Sequence, residues 1–429
     1  MIYSQIFVGI DIGTSGCRGC AIDIKNKILA EYHLELPVPK RRGVEVEQEP
    51  SIWWEALKEV LSQLSNTLSY PITAISIDGT SSTVLLVDKK GIPFGPALMY
   101  NDARAIKEAE QIRQIAPVNT GAHGATSSLA KLLWLQGLIG VQSFSFGHIL
   151  HQADWLAGKL TGRFDISDEN NCLKMGYDPI ARHWPSWISK FGFDINCLPQ
   201  VQPPGTIISP LKENVSKQLG ISPKTVIISG TTDSIAAFMA TGANQVGDAV
   251  TSLGSTLVLK LISDKPIFSP KQGIYSHRLW NKWLAGGASN TGGAVLLKYF
   301  TPNELNAMTP HLQPEKSTHL NYYPLVSKGE RFPIAAPDLK PCLEPRPVND
   351  VIFFQGILES IGRIESEGYN RLQSLGASYP KTVYTVGGGA KNTAWTQIRQ
   401  NILGVPMQKP NYTEAAYGAA LLAKRGFLA

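Results

Sequence analysis

Ile6-Phe7-Val8-Gly9-Ile10-Asp11-Ile12-Gly13-Thr14-Ser15-Gly16 decides the reading of this chain. An apolar run of strand length ends in an aspartate, then in a turn of glycine and small hydroxyl residues. Cys17 to Ile24 and Ile28 to Leu36 continue as short strands. Three successive strands with short turns predict an antiparallel start to a mixed sheet. The same signature returns at Leu253-Gly254-Ser255-Thr256, between predicted strands Ala249 to Leu253 and Leu257 to Ile262. Strand, glycine turn, strand thus occurs twice, which predicts a duplicated α/β unit with a cleft between its halves.

After these strands, Pro50 opens a predicted helix with Trp53, Trp54, Leu57, Val60 and Leu61 at helical spacing. Ala74 to Ile77 reads as a buried strand, with Thr83 to Val87 as its hairpin partner or continuation. Helices are expected over Asp102 to Ile115, Ser127 to Leu138 and Ala153 to Leu160. Thr225 to Ile228 runs into Gly230-Thr231-Thr232-Asp233 and then a helix, Ile235 to Thr241. Asn349-Asp350 caps a long helix carrying Ile352, Ile357, Ile361 and Ile364. Val383 to Val386 ends in Gly387-Gly388-Gly389, and a last helix starts near Thr413, with Glu414 in its first turn. The Pro-rich stretch 301–350 reads as a long, locally ordered connection.

Length and composition set the outer bounds. The 429 residues suggest two or three domains, and 43% apolar against 17% charged residues excludes a disordered chain. A net charge of +6 over this length is mild, and no Lys/Arg patch forms, so a nucleic-acid partner is not expected. Lys40-Arg41-Arg42 reads as a solvated turn. Five scattered cysteines make no disulfide framework. Cys17 and Cys20 point to opposite faces of a strand, which favours packing over metal binding. The uncharged stretch Leu132 to Ala153 holds Gln136, Gln142, Ser143, Ser145, His148, His151 and three glycines, which argues against a membrane span. The first residues do not read as a signal peptide. A cytoplasmic setting is the expectation.

Phosphate chains need backbone N–H donors without side chains in the way, and Ser/Thr hydroxyls add donors. Three segments have that composition: Gly13 to Gly16, Gly254-Ser255-Thr256 and Gly387-Gly388-Gly389-Ala390. Any one alone is an ordinary turn; all three follow short apolar strands. The only Gly-Lys, Gly158-Lys159, is followed by Leu160, so no Walker loop exists. A G-x-G-x-x-G after the first strand is also missing. Two aspartates stand beside these turns. Asp11 is either a turn cap or a carboxylate that meets phosphates through Mg²⁺ or its water. Asp233 is either an N-cap or a base that takes a proton from an attacking hydroxyl.

The order of motifs resembles the FGGY carbohydrate kinases, of the actin-like (ribonuclease H-like) ATPase fold. Asp11 to Gly16 is similar to their opening. Glu47-Gln48-Glu49-Pro50 with Trp53-Trp54 resembles their E-Q-[DE]-P…W, and Tyr100-Asn101-Asp102-Ala103-Arg104 their W-N-D-x-R. Asp154-Trp155-Leu156 with Leu160-Thr161-Gly162, Gly230 to Asp233, Ser252 to Thr256, Gly387 to Asn392 and Glu414 to Ala420 follow in family order. The resemblance covers nearly the whole chain. It implies two α/β domains with mixed sheets flanked by helices. One would be a sugar-binding N-terminal domain, 1–240 plus 414–429, and the other a nucleotide-binding C-terminal domain, 241–413. It implies ATP and Mg²⁺ as cofactors and a small sugar as partner. Asp233 would be the base, and Asp11 would sit by Mg²⁺ and the reacting phosphate, with Asp233 sharing the metal. Gly13, Thr14, Ser15, Gly254, Ser255 and Thr256 would surround the phosphates. Gly388, Gly389, Ala390 and Asn392 would line the adenosine site.

Substrate choice turns on the segment Asp78-Gly79-Thr80-Ser81-Ser82-Thr83. Xylulokinases carry Met-His where this chain has Ser81-Ser82. The chain most resembles a short cyanobacterial and plant branch of the family, which is associated with D-ribulose. Ser81, Asp11, Asp233 and, more weakly, Asp102 are the candidate sugar contacts, although Ser81 also suits an ordinary turn. D-Xylulose or another polyol is the alternative substrate, and a nucleotide switch or sugar sensor the alternative class. Trp53 and Trp54 read as core plus surface. His148 and His151 have ligand-like spacing without an expected acidic partner.

Overall fold

The computed structural model describes residues 5–139 and 147–429, so the middle of the uncharged stretch, with Gln142, Ser143 and Ser145, lies outside the described residues. The chain forms two units, Met1–Ala240 with Tyr412–Ala429, and Thr241–Asn411.

In the first unit, strand Ile6–Ile12 pairs antiparallel with Gly16–Ile22, which pairs antiparallel with Ile28–Glu35. On its other side Ile6–Ile12 runs parallel to Ile72–Gly79, which runs parallel to Val226–Thr232. Ile207–Pro210 closes that edge antiparallel. All seven residues of Ile6–Ile12 are buried, as expected of a central strand covered on both faces. Helix Pro50–Thr67 packs Trp53, Leu57, Val60 and Leu61 on one face, in one apolar cluster with Cys17. The last helix, Ala415–Leu428, packs on the other, in a cluster with Cys20. The two cysteines therefore serve opposite layers. Gly9 is needed for this contact, because a Cβ there would lie 2.0 Å from the Ala416 carbonyl oxygen. Trp53 is fully buried and its Nε1 donates to Gln48 Oε1 at 2.7 Å, whereas Trp54 is half-buried beneath Lys58 and Lys159.

The second unit repeats the plan. Asp248–Leu253 pairs antiparallel with Leu257–Ser263, and that with Lys282–Ser289. Asp248–Leu253 also runs parallel to Thr382–Val386, followed by Met407–Gln408, again parallel. Tyr275–Leu279 is an added edge strand. Helix Asp350–Ser374 starts where Asn349 Oδ1 accepts the N–H groups of Val351 and Ile352, and it buries Ile357, Ile361 and Ile364. Ile352 is exposed. The stretch 301–350 holds a short α-helix, Pro302–Met308, with a Thr301/Glu304 capping box, followed by a 3-10 turn, Thr309–His311, and sends Tyr322, Leu325 and Phe332 into the core.

Some elements depart from the sequence reading. Val84–Val87 is neither a hairpin partner nor a continuation of the strand before it. It joins a separate sheet, in the order Lys40–Arg42, Glu45–Gln48, Ala97–Leu98, Val84–Val87, His148–His151. The intervening Ser82 has φ 69°, and such a left-handed turn takes the chain out of the first sheet. Lys40–Arg42 is an exposed hairpin strand rather than a turn. The helix expected from Asp102 starts only at Ile106. Asp102 accepts the Arg104 N–H, a local bond that competes with helix. Glu414 is the N-cap, not a first-turn residue. No helix among the described residues is long and apolar enough to cross a membrane.

Candidate active site

Three neighbouring parallel strands of the first unit end in acid groups. Asp11 pairs in register with Asp78, and Asp78 with Thr231, one residue before Thr232 and the helix that begins at Asp233. Ligands of open α/β sheets gather at the carboxyl ends of strands, which is where these groups lie. Asp11 is 6% exposed and its Oδ2 meets Arg18 Nη1 at 3.4 Å. Burial pushes the Asp11 carboxyl above its ordinary range, partly offset by the Arg18 charge. Asp78 is fully buried, and neither of its oxygens has a hydrogen bond of ordinary geometry. Burial drives its carboxyl well above the usual range, and the charges of Asp11 and Asp233 push the same way. Asp233 is half-buried at the helix start, where its Oδ1 accepts the Ser234 N–H at 2.5 Å.

Asp78 escaped the sequence reading as a site residue. Its signal was present: Ile77-Asp78-Gly79 repeats the apolar-Asp-turn pattern of Ile10-Asp11-Ile12-Gly13 on the adjacent strand.

The turn after Ile6–Ile12 closes with Gly13 N–H to Gly16 O at 2.9 Å, leaving Thr14 half-buried and Ser15 exposed at its tip. The turn after Asp78 is held from one side by Gln152, whose Oε1 accepts Thr80 N at 3.1 Å and Thr80 Oγ1 at 2.9 Å. Ser81 is half-buried at its tip. Asp102 is fully buried. Its Oδ2 accepts Val46 N at 2.6 Å and Arg104 Nη2 at 2.7 Å, and its Oδ1 accepts Arg104 N at 3.1 Å. Both oxygens are thus used inside the protein, so Asp102 anchors the Tyr100–Arg104 segment instead of presenting a free carboxylate. His151 does have an acidic partner, contrary to the sequence reading: Nδ1 meets Asp154 Oδ2 at 3.1 Å. Nε2 meets Ser128 Oγ at 3.1 Å. Ser128 and His151 are fully buried, and the set caps helix Gln152–Thr161.

In the second unit the two other glycine turns adjoin. A Cβ on Gly387 would lie 2.7 Å from the Leu253 carbonyl oxygen, and φ there is +87°. A Cβ on Gly389 would lie 2.6 Å from the Trp395 ring. The fold itself needs both glycines. Gly388 is different: a Cβ there would meet nothing within 4 Å. Gly254 and Gly13 are also roomy, with nearest atoms at 3.8 Å and 3.5 Å. None of these three has a positive φ. Sterics within the protein do not call for glycine at 13, 254 or 388. Ser255 is exposed and Thr256 half-buried beside Gly254. Asn392 caps helix Thr393–Leu403 through Oδ1 to Trp395 N at 2.9 Å, and Ala390 is half-buried just before it.

Beneath these turns lies a buried network. Arg399 Nε and Nη2 bond Glu365 at 2.6 and 2.7 Å, and Arg399 Nη1 bonds Thr385 Oγ1 at 2.8 Å. Glu365 Oε1 also accepts Thr251 Oγ1 at 2.5 Å. Thr251 and Thr385 stand on the strands that lead into Gly254 and Gly387. The ion pair is fully buried.

Acid groups at the ends of parallel strands, with glycine hairpins on a repeated sheet, mark a phosphotransferase of the nucleotide-dependent kind. The chain belongs to the FGGY family of carbohydrate kinases, whose N-terminal domain matches residues 6–240 and whose C-terminal domain matches 249–427. It is therefore an ATP-dependent carbohydrate kinase. Similar curated proteins include the xylulose kinase of Escherichia coli (strain K12), 24% identical, with 98% of this chain and 90% of that protein covered. The autoinducer-2 kinase of Yersinia pseudotuberculosis is also 24% identical, over 98% of this chain and 86% of that protein. Among solved structures, a "xyloylose kinase" from Brucella ovis superposes with TM-score 0.88 at 24% identity, covering 99% of this chain and 91% of that one. A gluconate kinase from Lactobacillus acidophilus gives TM-score 0.86 at 19% identity, covering 99% and 89%.

Proposed function

We propose that this kinase phosphorylates a pentulose, D-ribulose, to D-ribulose 5-phosphate. In this reading the first unit supplies the sugar side: Ser81, Asp11 and Asp233 contact the ketose, with Asp102 behind them as an anchor. Asp233 accepts the proton of the attacking hydroxyl. The new O–P bond forms as the bond between the γ-phosphorus and the bridging oxygen breaks, and ADP leaves with that oxygen. The second unit supplies the nucleotide side. Gly254, Ser255 and Thr256 take phosphate oxygens there, and Gly13, Thr14 and Ser15 form the corresponding phosphate-type turn of the first unit. Gly388, Gly389, Ala390 and Asn392 border the adenosine. The alignment of Asp11, Asp78 and Asp233 at one end of three adjacent strands supports the phosphoryl-transfer part of the reading, and the small Ser81-Ser82 pair in the turn after Asp78 supports D-ribulose as the sugar. Roomy, unstrained glycines at 13, 254 and 388 support close approach of a ligand to backbone.

Mg²⁺ fits this acid set. Among the described residues no three metal-ligating side chains converge on one point. Mg²⁺ commonly takes only one or two carboxylates and completes its shell with water and phosphate oxygens. Asp11 would be the main ligand, with Asp233 beside it; when bound, the ion neutralises phosphate charge.

The alternative substrate is D-xylulose, which the names of several relatives favour. A coupled assay of ADP release separates the two. Purified protein with Mg-ATP is given D-ribulose, D-xylulose, glycerol or gluconate in turn. Stimulation by D-ribulose above all others is expected. Preferential stimulation by D-xylulose would transfer the assignment, and turnover indifferent to every sugar would refute the pentulose reading.

A further inference from the structure

We propose that Lys131 is a positioning residue for the sugar, fixing the backbone that presents Ser81. The proposal rests on the reading above, in which Ser81 contacts the ketose. Lys131 stands on helix Ser128–Ile139 and is fully buried. Its Nζ donates to Met99 O at 2.7 Å, Ser82 O at 2.9 Å and Tyr100 O at 3.3 Å. One ammonium thus ties together two loop segments. One carries Ser81; the other leads into Asn101 and Asp102.

All three acceptors are neutral carbonyls. An ammonium held this way is an expensive means of filling space, since a Met of similar length would pack without the desolvation penalty. What the ammonium does that Met cannot is gather carbonyls. Ser82 needs that service. At φ 69° its backbone is strained for a residue with a side chain, and its carbonyl accepts a hydrogen bond from Lys131 Nζ. On the other side the turn is already gripped by Gln152, and internally by Thr80 Oγ1 against Thr83 Oγ1 at 2.5 Å. Held at both flanks, the turn keeps Ser81 in one place, as a binding site for a small polar ligand requires.

The environment adds a readout. Burial depresses Lys131 to about 7; Asp102 draws it up, while Lys174 and Arg104 push it down. Below that pH the nitrogen has three donors for three carbonyls. Above it, only two remain, and a lone pair must face an oxygen.

The test compares wild type with Lys131→Met, using the pentulose that stimulates ADP release most. Expected is a rise of about tenfold or more in KM for the sugar, with KM for ATP within about twofold of wild type. In wild type the sugar KM should climb between pH 6 and 8.5, and in Lys131→Met it should stay flat. Circular dichroism checks that the variant folds. Lys131→Arg, which keeps charge and donors, should recover part of the loss. If Lys131→Met does not fold, the Lys131→Arg variant and the wild-type pH profile decide. A wild-type sugar KM independent of pH would then overturn the proposal. So would a folded Lys131→Met with unchanged sugar KM, or one whose ATP KM rises equally. If no pentulose stimulates the wild type, the functional reading fails first and takes this proposal with it. A stimulated wild type with an unaffected variant sinks this proposal alone.

Discussion

Asp233 and Gly388 show how single residues separate chemistry from packing. Asp233 is half-buried at a helix start, beside a buried acid it influences electrostatically. Asp233→Asn should lower kcat by about 10²–10⁴-fold if the carboxylate is the base, with an unchanged melting temperature. A full-rate Asn variant would remove the assignment. Gly388 has open space around it, whereas Gly389 abuts Trp395. Gly388→Ala should therefore raise the ATP KM severalfold with little change in melting temperature, and Gly389→Ala should lower the melting temperature. Equal stability losses in both would contradict the steric argument. Lys131 gives a signed pH effect. Its folded value, about 7, lies below the ordinary 10.5, so between these limits the unfolded chain binds more protons. Wild-type stability relative to Lys131→Met should rise with pH across that window and level off below it, as urea titrations at several pH values would show. Asp11 and Asp233 were legible as candidates, because each sits beside a Gly/Thr-rich turn. Asp78 carries the same apolar-Asp-turn signal on the adjacent strand. Lys131 carries none: it looks like part of an apolar helix until its neighbours are known, since burial is a property of the fold.

Elements were predicted well where one period governs a long segment. Ile6–Ile12 came out at its observed bounds, and helices Pro50–Thr67 and Asp350–Ser374 start where they were expected, because buried strands and one-faced helices write their pattern directly. The failures were local. Val84–Val87 left its expected sheet at a left-handed serine, a conformation for which sequence offers no dependable signal. Asp102 delayed a helix by bonding its own neighbours. The Glu365–Arg399 pair illustrates a further layer, since residues 34 apart in sequence meet only after the helices pack. Arg399→Met leaves the Glu365 carboxylate buried without its cation and should cost about 3–5 kcal/mol in urea unfolding. A loss below about 1 kcal/mol, the scale of an exposed pair, would mean that the network does not brace the turns at Gly254 and Gly387.

The whole molecule is two copies of one plan. In each, a central strand forms a glycine hairpin with the next strand and runs parallel to a later one. That duplication was readable from the repeated strand–glycine turn–strand pattern, and family membership rests on matches along both halves. The destination of the last helix is subtler. Its small residues, Ala415, Ala416, Gly418, Ala419 and Ala420, allow close approach to Gly9 and to Ala236, so the chain's end packs on its first strand. Choice of sugar is the least legible property: the turn proposed to contact it, Thr80 to Thr83, is held by Gln152 and Lys131 from two helices distant in sequence. Phosphorus NMR of the intact protein with Mg-ATP and D-ribulose tests whether phosphate reaches the sugar. A phosphomonoester on the terminal carbon of the ketose, formed in step with ADP, is expected; inorganic phosphate as the only new phosphorus signal besides ADP would refute sugar phosphorylation.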